Sequence, residues 1–401
     1  MTPPPSAARK NAVRFIVCLG IVSLFADMTY EGAYSIIGPF FRELGMTAAQ
    51  VGLISGAGEM IAASLRFFSG RFADRTRAYW PIVFFGYGLN ILVVPALAFV
   101  HHWQFAALLV AAERTGKALR GPARDVLLSE ATKEVGHGFG FGIHAAMDQT
   151  GAVLGPLLMV WMVMRTKSFG PAFLALAVPA LLTIAALAVA RAVHPAPGQP
   201  PKTPPKPQEL PGMFRMYVIA SGLLACGFID FPLLAYHFQR TGVVSPEVIP
   251  LLYAGAMAMT GAAGLVFGRL FDRYGLVVLV VGTVIALLTL PLGFLGGLAG
   301  AIASALCWGI GLGAQDATLR AGIAQVVSMN KRGTAFGTFN GVYGVMWFAG
   351  SAIMGLLYDR SLPALVIFGV TMQVIAALMF LRLRAPLAAA ARQATEGGHA
   401  A

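Results

Sequence analysis

The sequence predicts an all-α integral membrane protein with twelve transmembrane helices in two pseudo-symmetric six-helix bundles. The first observation behind this fold class is the composition: 57% of the 401 residues are hydrophobic, 11% are charged and the mean hydropathy is +0.74. Soluble chains carry about 25% charged residues, so most of this surface is expected to face lipid. The second observation is an internal duplication. A Gly-Arg-x-x-Asp-Arg string begins at Gly70 and again at Gly268, nearly half a chain later.

Three further landmarks recur at a similar spacing. Because all four recur in the same order, chance is a poor explanation for the duplication. Duplicated halves are a common plan of secondary transporters, in which the solute site lies between the halves near the bilayer midplane. The further pairs are Phe25-Ala26-Asp27 with Phe228-Ile229-Asp230, Leu119-Arg120 with Leu319-Arg320, and Phe141-Gly142 with Phe336-Gly337.

The spans can be counted as apolar runs between charged residues or Gly/Pro breaks. A spanning helix needs about 20 residues, and the twelve runs leave little chain for any soluble domain. The predicted spans are 12–40, 47–69, 79–100, 103–128, 138–164, 170–192, 213–239, 246–267, 276–297, 299–324, 334–357 and 362–382.

These spans group into two predicted domains. The N-terminal six-helix bundle covers 1–192 and the C-terminal bundle covers 213–384. The segment 193–212 is rich in proline, which favours an extended, flexible linker. Residues 385–401 form a tail after the last span.

The positive charges predict the orientation. If the N-terminus is cytoplasmic, seventeen Lys and Arg residues fall at the cytoplasmic ends of the spans and five at the opposite ends. Basic residues concentrate on the cytoplasmic side of membrane proteins. We therefore expect an inner-membrane protein with both termini in the cytoplasm. The net charge of +12 then faces anionic lipid headgroups, and no nucleic-acid partner is needed to explain it.

The two charged strings lie in the loops after spans two and eight. With the six-plus-six spans and the central linker, they make the chain similar to the major facilitator superfamily over essentially its whole length, most of all to its proton-coupled drug and solute antiporters. The family pattern G-x-x-x-D-R-x-G holds in the first copy as far as Arg75, but Arg77 replaces its second glycine. The resemblance implies a cytoplasmic gate, and the alternative is a pair of solvated turns. The gate residues are Gly70, Asp74 and Arg75, and Gly268, Asp272 and Arg273.

Span five contains a Gly-x-x-x-Gly-Pro string formed by Gly151, Gly155 and Pro156. Such a string lets two helices pack closely and bends the chain at the proline. It resembles a motif of antiporters in the superfamily, although Leu157 and Leu158 replace the usual following glycines. The resemblance favours export of the solute. The alternative is a packing kink that has no bearing on transport direction.

Span four carries the most charge. Charged groups inside a bilayer normally face a bundle interior or water, so we expect a cavity role for its central residues. Arg114 resembles an arginine of the family that is linked to proton coupling, although Ala118 replaces the expected glycine. The alternative is a purely structural network, in which Glu113 pairs with Lys117 and Asp125 pairs with Arg120 or Arg124. The solute-binding candidates on this span are Glu113, Arg114, Lys117 and Arg120.

Span one places two carboxyl groups and aromatic rings on one helical face, because Asp27, Glu31 and Tyr34 are four and three residues apart. We predict Asp27 and Glu31 as proton-coupling residues, with Asp148 of span five as a third candidate. Tyr30 and Tyr34 are candidates for solute binding. The alternative is a carboxylate that a span-four cation neutralises permanently.

Further intramembrane polar residues extend this set. The solute-binding candidates in the second half are Asp230, Asp316 and Arg320. Glu59, His144 near Asp148, and His237 near Asp230 are more typical of structural pairs.

The expected function is that of a secondary transporter that moves a small organic solute or drug by alternating access. The sequence contains no Walker-type Gly-x-x-x-x-Gly-Lys-Ser/Thr string and no hydrolase or metalloprotease motif. We therefore expect neither an ATP-driven pump nor an enzyme, no cofactor or metal, and a monomer driven by the proton gradient. Proton-coupled export is the first hypothesis, and proton-coupled uptake of a small anion is the alternative. A non-transporting enzyme or scaffold is the third.

Overall fold

The computed structural model describes residues 5–132, 135–193, 212–327 and 332–397, which form helices and short connections without a strand. The first seven helices are α1 (Pro5–Glu43), α2 (Ala48–Thr76), α3 (Tyr79–Ala96), α4 (Trp103–Thr132), α5 (His137–Thr166), α6 (Phe169–Ala175) and α7 (Ala177–Val193). The others are α8 (Gly212–Gly227), α9 (Phe231–Thr241), α10 (Ile249–Tyr274), α11 (Leu276–Leu287), α12 (Thr289–Leu295), α13 (Gly297–Val326), α14 (Arg332–Arg360) and α15 (Leu362–Gly397).

Eleven helical segments among the described residues are long and apolar enough to cross a membrane. They match eleven of the twelve predicted spans, and the remaining predicted span is α4. This helix has 30 residues, about 45 Å at 1.5 Å per residue, but it carries six charged side chains between residues 113 and 125. The chain is therefore an all-helical, multi-pass membrane protein. The count of twelve spans stays a prediction.

Three of the spans are interrupted, and each interruption lies three residues before a proline. The breaks lie at Leu176, at residues 228–230 and at Leu288, ahead of Pro179, Pro232 and Pro291. Proline has no N–H to donate to the carbonyl four residues earlier, which frees that carbonyl from the helix. The sequence reasoning predicted continuous spans here because it used glycine and proline only to separate one span from the next.

Side chains from neighbouring helices bind the backbone carbonyls near such prolines. At the break between α8 and α9, Trp308 Nε1 donates to the carbonyl of Ile229 at 2.8 Å, and Gln373 Nε2 donates to Gly227 at 2.7 Å. In α4, Ser69 Oγ donates to the carbonyl of Ala118, four residues before Pro122, at 2.9 Å. Irregular backbone at membrane depth persists where the surrounding protein satisfies it in this way.

The chain forms two compact units. The first contains α1, α3 to α7, the part of α2 from Ala57 onward, and Gln239–Met257. The second contains Thr47–Gly56, the chain from α8 to Phe238, and the chain from Ala258 onward. The linker predicted over 193–212 falls almost wholly outside the described residues, so the domain boundaries stay a prediction.

Within the first unit, α1 and α5 pack at backbone distance. A Cβ atom at Gly151 would clash with the carbonyl oxygen of Leu24, and one at Gly155 would clash with that of Met28. The string with Pro156 lies inside α5, which continues through the proline. This contact sets the position of Asp27 along α1 relative to Asp148 along α5.

Candidate functional site

The first unit contains a cluster of charged side chains on α1, α2, α4 and α5, which we call the ionic cluster. Four ion pairs hold it together, and one cation of α4 takes part in each. Charges at this depth are expected to be paired and to face the protein interior or water. The cluster consists of Asp27, Glu31, Glu59, Glu113, Arg114, Lys117, Arg120 and Asp148.

Arg114 forms one end of the cluster. Its Nη2 lies 3.3 Å from Glu59 Oε1 and its Nε lies 3.4 Å from Glu113 Oε2. Asn90 Nδ2 donates to Glu113 Oε1 at 2.7 Å, so the same carboxylate is held from α3 and α4. The guanidinium also lies 4.9 Å from the centre of the Tyr34 ring. Glu113 thus pairs with Arg114 rather than with Lys117.

Lys117 of α4 and Glu31 of α1 form the middle of the cluster. Both side chains of this ion pair are partly exposed. Lys117 Nζ lies 3.8 Å from Glu31 Oε1 and 3.9 Å from the centre of the Tyr30 ring. Tyr253 OH donates to Glu31 Oε2 at 2.5 Å, and the rings of Tyr34 and Tyr253 are 5.8 Å apart. The side chains of Lys117 and Glu31 are 24% and 16% exposed. The two side chains are therefore only partly enclosed by the protein.

Asp27, Asp148 and Arg120 form the other end of the cluster, where Asp27 and Arg120 are buried and Asp148 is half-buried. The Asp148 carboxyl group lies within hydrogen-bonding reach of Asp27. Arg120 Nη2 is 3.9 Å from Asp27 Oδ1, beyond hydrogen-bond distance, and the guanidinium lies 4.2 Å from the centre of the Tyr87 ring. Among the described residues, Arg120 Nε and Nη1, Asp27 Oδ1 and Asp148 Oδ1 are buried without a hydrogen-bond partner.

One helical turn beyond this end lies a second polar layer. Ser23 Oγ and His144 Nε2 are 2.9 Å apart, and Arg124 Nη1 donates to Ser23 Oγ at 3.4 Å. Arg124 also pairs with Asp125 at 2.9 Å. The Asp125 side chain is 55% exposed, so this layer reaches solvent.

The remaining solute-binding candidates belong to the second unit. Asp230 is buried at the break between α8 and α9, where it accepts hydrogen bonds from Trp347 Nε1 at 2.7 Å and Ser351 Oγ at 2.5 Å. Asp316 and Arg320 are both exposed on α13. Arg320 forms no ion pair with the residues that the structure describes.

The predicted gate residues lie at the ends of α2 and α10. Arg75, Asp272 and Arg273 are exposed and form no ion pair in the described part of the chain. The side chain of Asp74 is outside the described residues. Gly70 approaches Pro122, and Gly268 approaches Ala317. The gate role of these residues stays a prediction.

Two residues of the site were missed by the sequence reasoning. Asn90 is a fully buried amide in an otherwise apolar span, and that lone polar residue was the available signal. Tyr253 lies 222 positions from Glu31. Nothing in the local sequence marks it, because only the fold brings the two side chains together.

Comparisons with known proteins agree on one family. The profile of the Major Facilitator Superfamily matches residues 19–238. An uncharacterised protein of Mycobacterium bovis is 36% identical over 385 residues, which cover 94% of both chains. An uncharacterised MFS-type transporter of Methanocaldococcus jannaschii is 25% identical over 378 residues, covering 91% of this chain and 94% of the relative.

Solved transporter structures share the fold at low identity. A mutant of the nucleoside transporter NupG superposes with a TM-score of 0.73 at 14% identity, over 92% of this chain and 99% of its own. A POT peptide transporter in complex with alafosfalin gives a TM-score of 0.70 at 15% identity, over 94% and 95% of the two chains. A bacterial homologue of the human lysosomal transporter Spinster gives 0.66 at 13% identity, over 98% of both chains.

Proposed function

We propose that this chain, which belongs to the Major Facilitator Superfamily, exports a small organic solute across the inner membrane in exchange for protons. Secondary transport follows from the family. What we propose beyond the family is that the coupling ion is the proton, that the solute moves outward, and that the protein lies in the inner membrane.

The observation that carries the proposal is the proximity of the Asp27 and Asp148 carboxyl groups in the first unit, each with an Oδ1 atom that is buried without a hydrogen-bond partner among the described residues. An ionised carboxylate only accepts hydrogen bonds, so a hydrogen bond between two carboxyl groups contains one proton. Arg120 beside the pair balances the charge that remains. A proton shared between the buried Asp27 and the half-buried Asp148 can be bound in one state of the carrier and released in another.

The solute would bind one helical turn away, at Glu31 and Lys117. Asp27 and Glu31 are four residues apart on α1 and Lys117 and Arg120 are three apart on α4, so both pairs lie on neighbouring turns. A cationic or polar solute at Glu31 would compete with a proton on the same group of carboxylates. Competition between solute and proton for one electrostatic site is the simplest physical route to exchange. The resemblance of the Gly151, Gly155 and Pro156 string to the antiporter motif also favours export.

A second candidate is uptake of a small anion together with a proton. The ammonium group of Lys117 makes no hydrogen bond to any described residue, and two nitrogens of Arg120 are likewise without a hydrogen-bond partner. Protonation of Asp27 would free Arg120 for an anionic solute, so that proton and solute would bind together rather than in turn.

The experiment begins with a growth screen of deletion and overexpression strains against toxic compounds and carbon sources, which identifies the solute. Resistance without an uptake phenotype supports export, and restored uptake supports the second candidate. Transport driven by a pH gradient is then measured in proteoliposomes. Asp27→Asn and Asp148→Asn keep side-chain size but cannot exchange the proton.

We expect each substitution to abolish gradient-driven transport while counterflow of the solute, which needs no net proton movement, continues. Glu43→Gln is the matched control, because it neutralises an exposed carboxylate at the end of α1, outside the ionic cluster, and should leave both activities near the unmodified level. Full gradient-driven transport in both test variants would place the proton site elsewhere, with Glu31 as the next candidate.

A further inference from the structure

His144 is a buried titratable group in the first unit that the proposed function leaves without a role. It lies on α5, four residues before Asp148, and 5% of it is exposed. Residues four apart lie on the same face of a helix, so His144 faces the same side of α5 as Asp148. Its Nε2 contacts Ser23 Oγ of α1 at 2.9 Å, and its Nδ1 makes no hydrogen bond to the described residues.

The three helices around the carboxyl pair all place their next polar residue toward the same end of the unit. On α1, Ser23 comes four residues before Asp27, and on α5, His144 comes four before Asp148. The remaining helix, α4, runs in the opposite sense, and Arg124 comes four residues after Arg120. Contacts of Ser23 with both His144 and Arg124 show that these residues form one layer.

This layer lies between the carboxyl pair and the exposed Asp125 at this end of the unit. Asp27 is buried, and Asp148 Oδ1 is buried without a hydrogen-bond partner among the described residues. Beyond the layer, Arg124 leads to the exposed Asp125. A proton that leaves the pair toward this end of the unit therefore has to pass His144 or the Ser23 hydroxyl, since arginine does not give up its proton under ordinary conditions.

We propose that His144 relays the proton between the Asp27–Asp148 pair and solvent at the end of the unit where α1 begins and α4 ends. The inference rests on the proposed function, because it presupposes the shared proton. In the tautomer with hydrogen on Nε2, Ser23 Oγ accepts from both His144 and Arg124 through its two lone pairs. Nδ1 is then the basic nitrogen.

The transfer balances without any further reactant. An O–H bond of the carboxyl pair breaks, an N–H bond forms at Nδ1, and the products are a second carboxylate and an imidazolium. The imidazolium then passes its proton to water and returns to the neutral ring. The charged groups around the ring are Arg124, Asp148, Asp125 and Arg120, so carboxylates of α4 and α5 offset the two guanidinium groups while the ring is charged.

The test follows the proton itself and needs no solute. The purified full chain is subjected to a rapid alkaline pH jump, and time-resolved infrared spectroscopy follows the carbonyl stretch of its protonated carboxyl group. Asp27→Asn and Asp148→Asn identify the band. The test variants are His144→Ala, which leaves space for a soluble base, and His144→Gln, which fills that space. His237→Ala is the matched control, because His237 is equally buried in the second unit and bonded to the Tyr358 hydroxyl at 2.9 Å.

We expect both His144 variants to slow decay of the band by about tenfold or more, the scale on which a positioned acid–base group accelerates proton transfer. Added imidazole should restore the rate in His144→Ala alone, and His237→Ala should match the unmodified protein. An unchanged rate in His144→Ala, or a slowed rate that imidazole does not restore, overturns the relay and leaves the shared proton intact. Absence of the band from the unmodified protein overturns the shared proton and the relay together.

Discussion

At the scale of single residues, the buried Arg114 of the first unit pairs with two carboxylates that differ in solvent exposure. Arg114 is nearly inaccessible and contacts two carboxylates, of which Glu113 is buried and Glu59 is 31% exposed. Losing one partner of a buried ion pair leaves an uncompensated charge, which costs about 3–5 kcal/mol. An exposed partner costs far less because water screens it. The two contacts of Arg114 are therefore expected to differ in their effect on stability.

We predict that Arg114→Gln lowers the free energy of unfolding by about 3–5 kcal/mol, whereas Glu59→Gln lowers it by less than about 1 kcal/mol. The double variant Arg114→Gln with Glu113→Gln should recover much of the loss, because both charges of the buried pair are then removed. Denaturant titration of the purified protein measures all four free energies. Equal losses for Arg114→Gln and Glu59→Gln would contradict the assignment of Glu113 as the principal partner.

Outside the membrane-spanning segments, Lys167 Nζ donates to Glu247 Oε1 at 2.9 Å. This hydrogen bond lowers the pKa of Glu247 below its ordinary value. A carboxylate with a lowered pKa in the folded state contributes stability above its unfolded-state pKa, and loses that contribution as the pH falls through the folded-state value. The contribution is small, because the Lys167 side chain is 68% exposed.

We therefore predict that Glu247→Gln lowers the free energy of unfolding at neutral pH by less than about 1 kcal/mol. The difference from the unmodified protein should vanish in strongly acidic solution and shrink in about 1 M salt. Thermal unfolding over a pH series measures it. A difference that persists unchanged in acid would mean that Glu247 acts through packing rather than through its charge.

At the scale of helices, the contact between α1 and α5 depends on glycine. A side chain at Gly155 would collide with the backbone of α1, and backbone cannot move aside as a flexible side chain can. Gly142 lies on the same helix, is exposed, and has no neighbouring atom within 4 Å of the position that a Cβ would take. Comparing alanine substitutions at these two glycines of α5 therefore separates the effect of close packing on stability from the effect of helix propensity.

Gly155→Ala is expected to destabilise the protein by about 1–3 kcal/mol, as overpacking does. Gly142→Ala is expected to be neutral or to stabilise by up to about 1 kcal/mol, because alanine favours helix over glycine. Thermal unfolding midpoints of the two variants provide the comparison. Equal tolerance of both changes would show that the α1–α5 contact can relax.

Helix boundaries show where sequence reasoning succeeded and where it failed. Length and hydropathy were enough to predict the apolar spans, but not the breaks at Leu176, 228–230 and Leu288. Those breaks follow from a missing proline N–H, a local rule that the sequence contained. For the site, helical spacing placed Asp27 and Glu31 on one face of α1, and the concentration of charge in span four indicated the cations of α4. The contact between Asp27 and Asp148 needed the tertiary packing of α1 on α5.

At the scale of the whole molecule, the predicted family is confirmed by the profile match over residues 19–238 and agrees with an MFS-type relative that matches 91% of the chain. The antiporter branch, the solute and the transport direction stay predictions. Fold alone does not determine them, because one fold hosts many functions. They depend on which groups of the ionic cluster change protonation and partner during transport.

The most direct test of the account is the pH inside proteoliposomes that contain the purified protein and a trapped pH-sensitive dye, after the identified solute is added outside. Exchange requires protons to leave as solute enters, whichever way the protein is inserted. We predict that the lumen becomes more alkaline with the unmodified protein and stays unchanged with Asp27→Asn. Acidification would show that proton and solute move together, and an unchanged lumenal pH during measurable solute entry would contradict proton coupling altogether.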